Sequence, residues 1–86
     1  MVDESHLDGN AVGGLLFDLF GREMTGQLGC CGGCGSVTNL GAIHVYREAP
    51  GDVMRCPNCG IVLLVIVPRE VGFRISLESL RWIEVS

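Results

Sequence analysis

Near the start of the chain, apolar residues recur with the spacing of one face of a helix. Five of them fall at positions i, i+3, i+4, i+7 and i+8, and these are Val12, Leu15, Leu16, Leu19 and Phe20. Such a stripe is typical of an amphipathic helix that packs on a core. Asn10 or Asp8 can cap the first turn through a side-chain oxygen, and Gly21 stands where a glycine cap ends a helix. The pattern therefore predicts a helix over residues 10–21.

The middle of the chain predicts a β-hairpin. Residues 41–47 alternate, with Ile43 and Val45 on one face and His or Tyr side chains on the other. Residues 49–52 read Ala-Pro-Gly-Asp, which places proline and glycine at the two central positions of a type II turn. We expect residues 53–55 to return antiparallel to the first strand.

The last third of the chain predicts three more strands. Residues 61–67 form a continuous apolar run, which is typical of a strand buried on both faces. Residues 68–70 form a turn, and apolar and polar positions then alternate over residues 71–78, as they do in a half-buried strand. Residues 81–85 predict a short final strand. Because the strands are short and consecutive, we expect an antiparallel meander.

Size and composition make the predicted core marginal. The chain has 86 residues, of which 48% are hydrophobic and 13 are glycine. Domains of this size bury little apolar surface and are usually supplemented by disulfides, a metal or a partner. We expect a flexible segment over residues 1–7 and a single domain over residues 8–86. The glycines concentrated in residues 26–35 predict tight turns there rather than a regular element.

Two Cys-x-x-Cys-Gly motifs contain the candidate metal ligands. The first holds Cys31 and Cys34, the second holds Cys56 and Cys59, and residues 35–55 separate them. Two residues between cysteines let one tight turn direct both sulfurs to one point, and two such turns can supply a tetrahedron of sulfurs. Zn²⁺ accepts four thiolates at about 2.3 Å. The expected fold is a small metal-bound, β-rich α+β protein with a zinc-ribbon-like antiparallel sheet and one N-terminal helix.

The same four cysteines leave other chemistries open. A single iron ion fits the same cage of four sulfurs. A disulfide or a thioredoxin-like redox pair is a second alternative, but neither motif is followed by the helix that lowers the pKa of such a thiol. A catalytic zinc ion keeps one ligand position open, whereas four cysteines fill the shell. One structural Zn²⁺ and no catalytic residues are therefore expected.

Three further residues carry metal-ligating atoms. Cys30 is a small buried strand residue, a replacement for Cys31 in the ligand set, or a redox-sensitive thiol beside the site. His6 and His44 lack ligand spacing to any other candidate. We expect both histidines to be surface residues or hydrogen-bonded core residues.

Charge narrows the range of partners. Six arginines and no lysine stand against ten acidic residues, which gives a formal net charge of −4 at pH 7. Nucleic-acid-binding proteins and proteins that bind anionic membranes present basic surfaces instead. We therefore expect a protein partner or self-association, with nucleic acid as the alternative and no membrane partner.

The sequence also predicts a compartment. The first twenty residues contain four acidic residues and lack the basic region of a signal peptide. The longest apolar run, residues 61–67, is far shorter than the roughly 20 residues of a membrane-spanning helix. We expect a cytoplasmic protein, since clustered cysteines in a reducing compartment bind metals rather than form disulfides.

Several motifs together carry a resemblance that covers residues 7–84. The segments are DGNA (8–11), GLL (14–16), FGREMT (20–25), CGGCG (31–35), APGDV (49–53) and RCPNC (55–59). With these segments the chain resembles a family of small bacterial proteins of unknown function that are regarded as Cys₄ zinc ribbons. The resemblance implies zinc on the four motif cysteines and a bacterial cytoplasmic setting. It implies no activity and does not require Cys30.

The leading functional expectation is a zinc-ribbon module that is not an enzyme and binds another protein. The helix stripe, with Phe17 beside it, is the expected docking face unless it only covers the sheet. A second hypothesis is association with nucleic acid or the transcription machinery through arginines on one sheet face, namely Arg47, Arg55, Arg69, Arg74 and Arg81. The third is a redox or zinc sensor that uses Cys30 together with the cage.

Overall fold

The computed structural model describes residues 7–49 and 51–86 and contains two antiparallel sheets and one short helix. The helix and strands are β1 (Leu7–Asp8), α1 (Gly13–Phe20), β2 (Leu28–Cys31), β3 (Val37–Asn39), β4 (His44–Glu48), β5 (Gly51–Arg55), β6 (Val62–Pro68), β7 (Phe73–Leu77) and β8 (Leu80–Glu84). The larger sheet has the order β1-β4-β5-β6-β7, and the smaller has the order β3-β2-β8. The prediction of a β-rich, antiparallel protein with one N-terminal helix is confirmed.

The helix is shorter than predicted because its first turn is a 3₁₀ turn over Gly9–Val12. Asp8 caps this turn, and its carboxylate accepts a hydrogen bond of 3.1 Å from the backbone N–H of Asn10. The helix ends as predicted at Gly21, whose φ of 74° is left-handed and whose N–H donates to the carbonyl of Phe17 at 2.7 Å.

The helix stripe mostly covers the inner face of the larger sheet. Val12 and Leu16 are buried, and Leu15 and Leu19 are half-buried against the core. The core that they join contains Met24, Leu40, Ile43, Val45, Met54, Leu63, Leu64 and Ile66, together with two of the cysteines. Phe20 is the one stripe residue that stays exposed, and Phe17 beside it is exposed too. The interpretation of the stripe as an internal cover is thus confirmed for four of its five residues.

The predicted hairpin of β4 and β5 is present, and so is the predicted turn after β6. Val45 pairs with Met54 in β4 and β5, and Ile43 and Val45 are completely buried. The hairpin turn includes Pro50, which lies outside the described residues, so its predicted type II geometry is not described. After β6, the N–H of Arg69 donates to the carbonyl of Gly72 at 2.9 Å and closes the predicted turn.

The strand β6 is buried on one face rather than on two. Leu64 and Ile66 are buried on the inner face, whereas Val65 and Val67 on the outer face are half-buried. A bulge opposite Met54 and Arg55 adds one residue to β6, so that Leu63 is buried as well. The unbroken apolar run of residues 61–67 therefore corresponds to a bulged strand between β5 and β7, and the outer face of this strand is partly exposed.

The prediction of tight turns over residues 26–35 is confirmed at residues 32–34 but wrong for residues 28–31, which form β2. Gly29 is buried where the side chains of Leu40 and Leu80 converge, and a Cβ atom there would lie 3.0 Å from a Leu40 methyl carbon. A glycine inside a strand often marks such a close approach. The last strand also departs from the predicted meander, since β8 leaves the larger sheet and pairs with β2, with Cys30 opposite Trp82.

The apolar face of β7 is more open than predicted. Its alternation is confirmed, and register places Phe73, Ile75 and Leu77 on the inner face, opposite Pro68, Ile66 and Leu64. The three side chains are nevertheless 41%, 38% and 69% exposed. The helix covers the middle of the sheet, so the inner face at this edge is left uncovered. We call Phe73, Ile75 and Leu77 the β7 apolar strip.

Candidate metal centre

Each Cys-x-x-Cys-Gly motif forms a tight turn, and the two turns have matching backbone geometry. The N–H of Gly35 donates to the carbonyl of Cys31 at 2.9 Å, and the N–H of Gly60 donates to the carbonyl of Cys56 at the same distance. Gly35 has a φ of 79° and Gly60 a φ of 81°. Only glycine adopts this left-handed conformation without strain, which explains why a glycine follows each pair.

The two turns belong to different sheets. Cys31 is the last residue of β2, so the first turn joins two strands of the smaller sheet. Cys56 follows β5, so the second turn joins two strands of the larger sheet. Any ion bound between the turns therefore connects the two sheets.

The four sulfur atoms lie close enough together to hold one metal ion. The Sγ atoms of Cys31, Cys34, Cys56 and Cys59 all lie within 4.8 Å of one another. The Sγ atoms of Cys31 and Cys59 are 3.6 Å apart, and those of Cys34 and Cys56 are 3.7 Å apart. A tetrahedral ion with metal–sulfur bonds of about 2.3 Å requires sulfur–sulfur distances of about 3.8 Å. A disulfide would need about 2.05 Å, and all five cysteines are unpaired.

Backbone N–H groups point at the first sulfur of each pair. The N–H groups of Gly33 and Cys34 lie 3.3 Å and 3.5 Å from the Sγ atom of Cys31. The N–H of Asn58 lies 3.3 Å from the Sγ atom of Cys56. Donors in these positions stabilise the thiolate form, which is the form that binds metal.

Ser36 and Asn58 add side-chain hydrogen bonds that the cysteine spacing does not predict. The amide nitrogen Nδ2 of Asn58 donates to the Sγ atom of Cys34 at 3.3 Å. The hydroxyl of Ser36 lies 3.2 Å from the Sγ atom of Cys34 and 3.5 Å from that of Cys56. The sequence signal for these two residues was their position, since Asn58 lies within the second motif and Ser36 directly follows the first. The first motif has Gly33 where the second has Asn58.

The pKa values of Cys34, Cys56 and Cys59 are shifted in different directions. The Ser36 hydroxyl, followed by the Asn58 amide, lowers the pKa of Cys34 to about 5. For Cys59 the N–H of Ile61 lowers the pKa, but lost hydration and the three neighbouring sulfurs together outweigh it and raise the pKa to about 11. Burial raises the pKa of Cys56, and hydrogen bonds led by the Ser36 hydroxyl outweigh it, so the net shift is downward. Neighbouring negative sulfurs oppose full ionisation, and a bound cation would remove that opposition.

The structure places Cys30 outside the cluster. Cys30 is 6% exposed, and its Sγ atom lies 3.7 Å from the Cys31 carbonyl oxygen and 3.8 Å from that of Gly35. Its position matches the expectation of a small buried strand residue. Among the described residues no histidine joins the four sulfurs. His44 lies half-buried on β4, and His6 lies outside the described residues.

Fold and site together define a small, β-rich, cysteine-rich protein with a cluster that can hold a metal ion. The chain belongs to DUF6510, a family of unknown function, whose model matches residues 3–86. Neither the curated proteins nor the solved structures gave a match. In the part of the chain that the structure describes, α1 is too short to cross a membrane, and no other helix has the length and apolarity to do so.

The left-handed backbone conformation of the glycine after each cysteine pair predicts an effect on stability. Gly60→Ala forces a side chain into a positive-φ conformation and should lower the free energy of unfolding by about 1–2 kcal/mol. A Cβ atom at Gly60 would have open space around it, so the loss would come from the backbone alone. Gly26→Ala is the matched control, because its position is equally open and lacks a positive φ. Urea unfolding of both variants measures the difference. Equal midpoints would contradict the assigned turn geometry.

Proposed function

We propose that this protein binds one structural Zn²⁺ ion through Cys31, Cys34, Cys56 and Cys59, and that it acts as a non-enzymatic module that binds protein. The close approach of the four sulfur atoms, all within 4.8 Å of one another, carries the proposal. Four cysteines fill the coordination shell of zinc, which leaves no position for a substrate or for a reactive water molecule. On this proposal the protein is a bacterial, cytoplasmic zinc ribbon. Five unpaired cysteines are in keeping with a reducing compartment.

The ion would act by joining the two sheets at their turns. The two turns also contact each other through protein atoms, namely the Ser36 hydroxyl near the Cys56 sulfur and the Asn58 amide at the Cys34 sulfur. These bonds are weak in comparison with four metal–sulfur bonds. Zinc-finger peptides gain an apparent binding free energy of about 10–16 kcal/mol at neutral pH. This is of the same order as the net stability of a typical domain, about 5–15 kcal/mol.

Exposed apolar side chains support a role in binding protein. Two residues of the β7 apolar strip, Ile75 and Leu77, line an apolar cleft together with Phe20. Its lining also includes the buried residues Leu64 and Ile66. Every residue that lines this cleft is apolar. Open apolar surfaces on small proteins are typical of interaction sites. The surface that supports protein binding is therefore at the β7 edge and the end of α1, rather than along the whole helix stripe.

The arginines give less support to nucleic-acid binding. Arg47 forms an ion pair with Asp52 at 3.6 Å and donates to the carbonyl of Ala11 at 3.0 Å. Arg55 donates to the carbonyl of Gly60 at 2.9 Å and lies over the ring of Tyr46. Two of the five arginines thus hold parts of the fold together, and the net charge is negative. We therefore favour a protein partner.

A redox or zinc sensor that uses Cys30 also has less support than a structural site. The Cys30 thiol is buried and directed at two backbone carbonyls, rather than at the cluster. An oxidant would have to reach a closed strand position before Cys30 could react. The exposed sulfurs of the site are those of Cys34 and Cys59.

Metal content tests the ligand assignment. Purified protein should contain one zinc per chain, and Cys34→Ser and Cys59→Ser should each weaken zinc retention against a chelator by at least about tenfold. Both side chains are exposed, so the variants remove a ligand without opening the core. Cys30→Ser is the control and should keep one zinc per chain. Elemental analysis and chelator competition measure both quantities. Iron in place of zinc, or metal retained by both ligand variants, would contradict the proposal.

Removal of the metal tests its structural role. A strong chelator should unfold residues 28–66, because these carry both turns and the strands between them. We expect the thermal midpoint to fall sharply, with loss of amide hydrogen-exchange protection in this segment. Adding Zn²⁺ back should restore both signals, and adding Mg²⁺ should restore neither. A metal-free protein with an unchanged midpoint would show that the ion is not needed for the fold.

A further inference from the structure

The strand β7 ends the larger sheet on one side and combines an open backbone edge with an apolar face. No strand pairs with its outer side in the described part of the chain, and the β7 apolar strip is exposed beside it. The edge strands β1 and β3 have only two and three residues, so they offer little to a new strand. Proteins usually keep long apolar edges covered or charged. We propose that β7 pairs antiparallel with β7 of a second copy of this chain, which forms a two-fold symmetric dimer.

Backbone directions on β7 decide which residues can take part. The N–H of Glu78 donates to the carbonyl of Leu63 on β6 at 2.9 Å. Because the directions of backbone N–H groups alternate along a strand, the backbone N–H groups of Arg74 and Ser76 also point toward β6. Phe73, Ile75 and Leu77 therefore direct their backbone groups to the open edge. Pro68, which has no N–H to donate, lies opposite Phe73, in keeping with this assignment.

The charges of Arg74 on β7 and of Glu78, the residue directly after β7, select one register for the pairing. With Ser76 opposite Ser76 of the second copy, the residues that exchange backbone hydrogen bonds are Ile75 and Leu77. The same register places Arg74 directly opposite Glu78 of the second copy, in positions where cross-strand side chains come closest. Two-fold symmetry creates this ion pair twice. Shifting the strands to centre on Ile75 would place Arg74 opposite Ser76 and lose both pairs.

The remaining strand edge of comparable length lacks this self-complementarity. The strand β8 also ends its sheet and carries Arg81 and Glu84. The register of β8 against β2 shifts at Arg81, and a bulge of this kind blunts an edge strand against further pairing. The regular part of β8 beyond the bulge, residues 82–84, holds Glu84 and no arginine to stand opposite it. Charge complementarity therefore favours β7.

The pairing also extends the apolar surface. The two-fold axis runs perpendicular to the sheet, so the inner faces of both copies lie on the same side. Ile75 of one copy then lies beside Leu77 of the other, and the two β7 apolar strips form one continuous patch. A ten-stranded sheet would result, with Phe20 of each copy at the margin of the joined patch. This inference rests on the proposed function in that it names a second copy as the protein bound.

Charge reversal at Arg74 and Glu78 tests the register. Wild-type protein with zinc bound should be a dimer in analytical ultracentrifugation. Arg74→Glu and Glu78→Arg each place like charges opposite one another twice and should weaken the dimer at least about tenfold. An equal mixture of the two variants should dimerise as the wild type does, because each mixed pair regains both ion pairs. Arg69→Glu, in the turn before β7, is the control and should leave the dimer unchanged.

The outcomes separate this inference from the proposed function. A monomeric wild type, or a mixture of variants that stays monomeric, would overturn the β7 pairing. A dimer that both single variants leave intact would overturn it as well. Zinc is measured in every sample. A variant that keeps one zinc per chain is folded and has an intact metal site, so its state of association reports on the β7 pairing alone. A wild type that contains no metal would contradict the proposed function, whatever its state of association.

Discussion

The meeting of four sulfur atoms between two sheets is the contact on which the rest of this structure depends. The smaller sheet supplies Cys31 and Cys34, and the larger sheet supplies Cys56 and Cys59. The helix and the core hold the inner face of the larger sheet, but the two turns meet mainly through sulfur and the donors around it. An ion at this point would add a cross-link between elements that are distant in sequence. Because a core of this size buries little apolar surface, such a cross-link would add to the packing of Leu80 and Ile83 from the smaller sheet against the core.

Local sequence patterns predicted the elements better than the way in which they assemble. The helix stripe, the hairpin around Val45 and the alternation in β7 follow from side-chain periodicity, which is a local property. The pairing of β2 with β8 joins segments from opposite halves of the chain. The presence of Gly29 in β2 is explained only when Leu40 and Leu80 are seen to converge on it. Alternation in β7 likewise predicted which residues share a face, but it could not show that no element covers that face.

The four candidate ligands could be predicted because the two cysteines of each pair lie close together in the sequence. Two residues between cysteines and a glycine after each pair are local requirements of the turn, so they appear directly in the sequence. The roles of Ser36 and Asn58 could not be predicted, because each acts on a sulfur of the other turn, Ser36 on Cys56 and Asn58 on Cys34. The sequence also could not show whether the sulfur of Cys30 belongs to the cluster. Adjacent residues on a strand point to opposite faces, and only the fold shows which of Cys30 and Cys31 faces the cluster.

X-ray absorption at the zinc edge tests the central claim most directly, because it measures the ligands around the ion itself. The four-sulfur assignment predicts a single shell of four sulfur atoms at about 2.3 Å in the purified protein. The shell should be the same in Cys30→Ser, which leaves the four ligands in place. A shell that contains nitrogen or oxygen, or fewer than four sulfurs, would contradict the account of how the two sheets are held together.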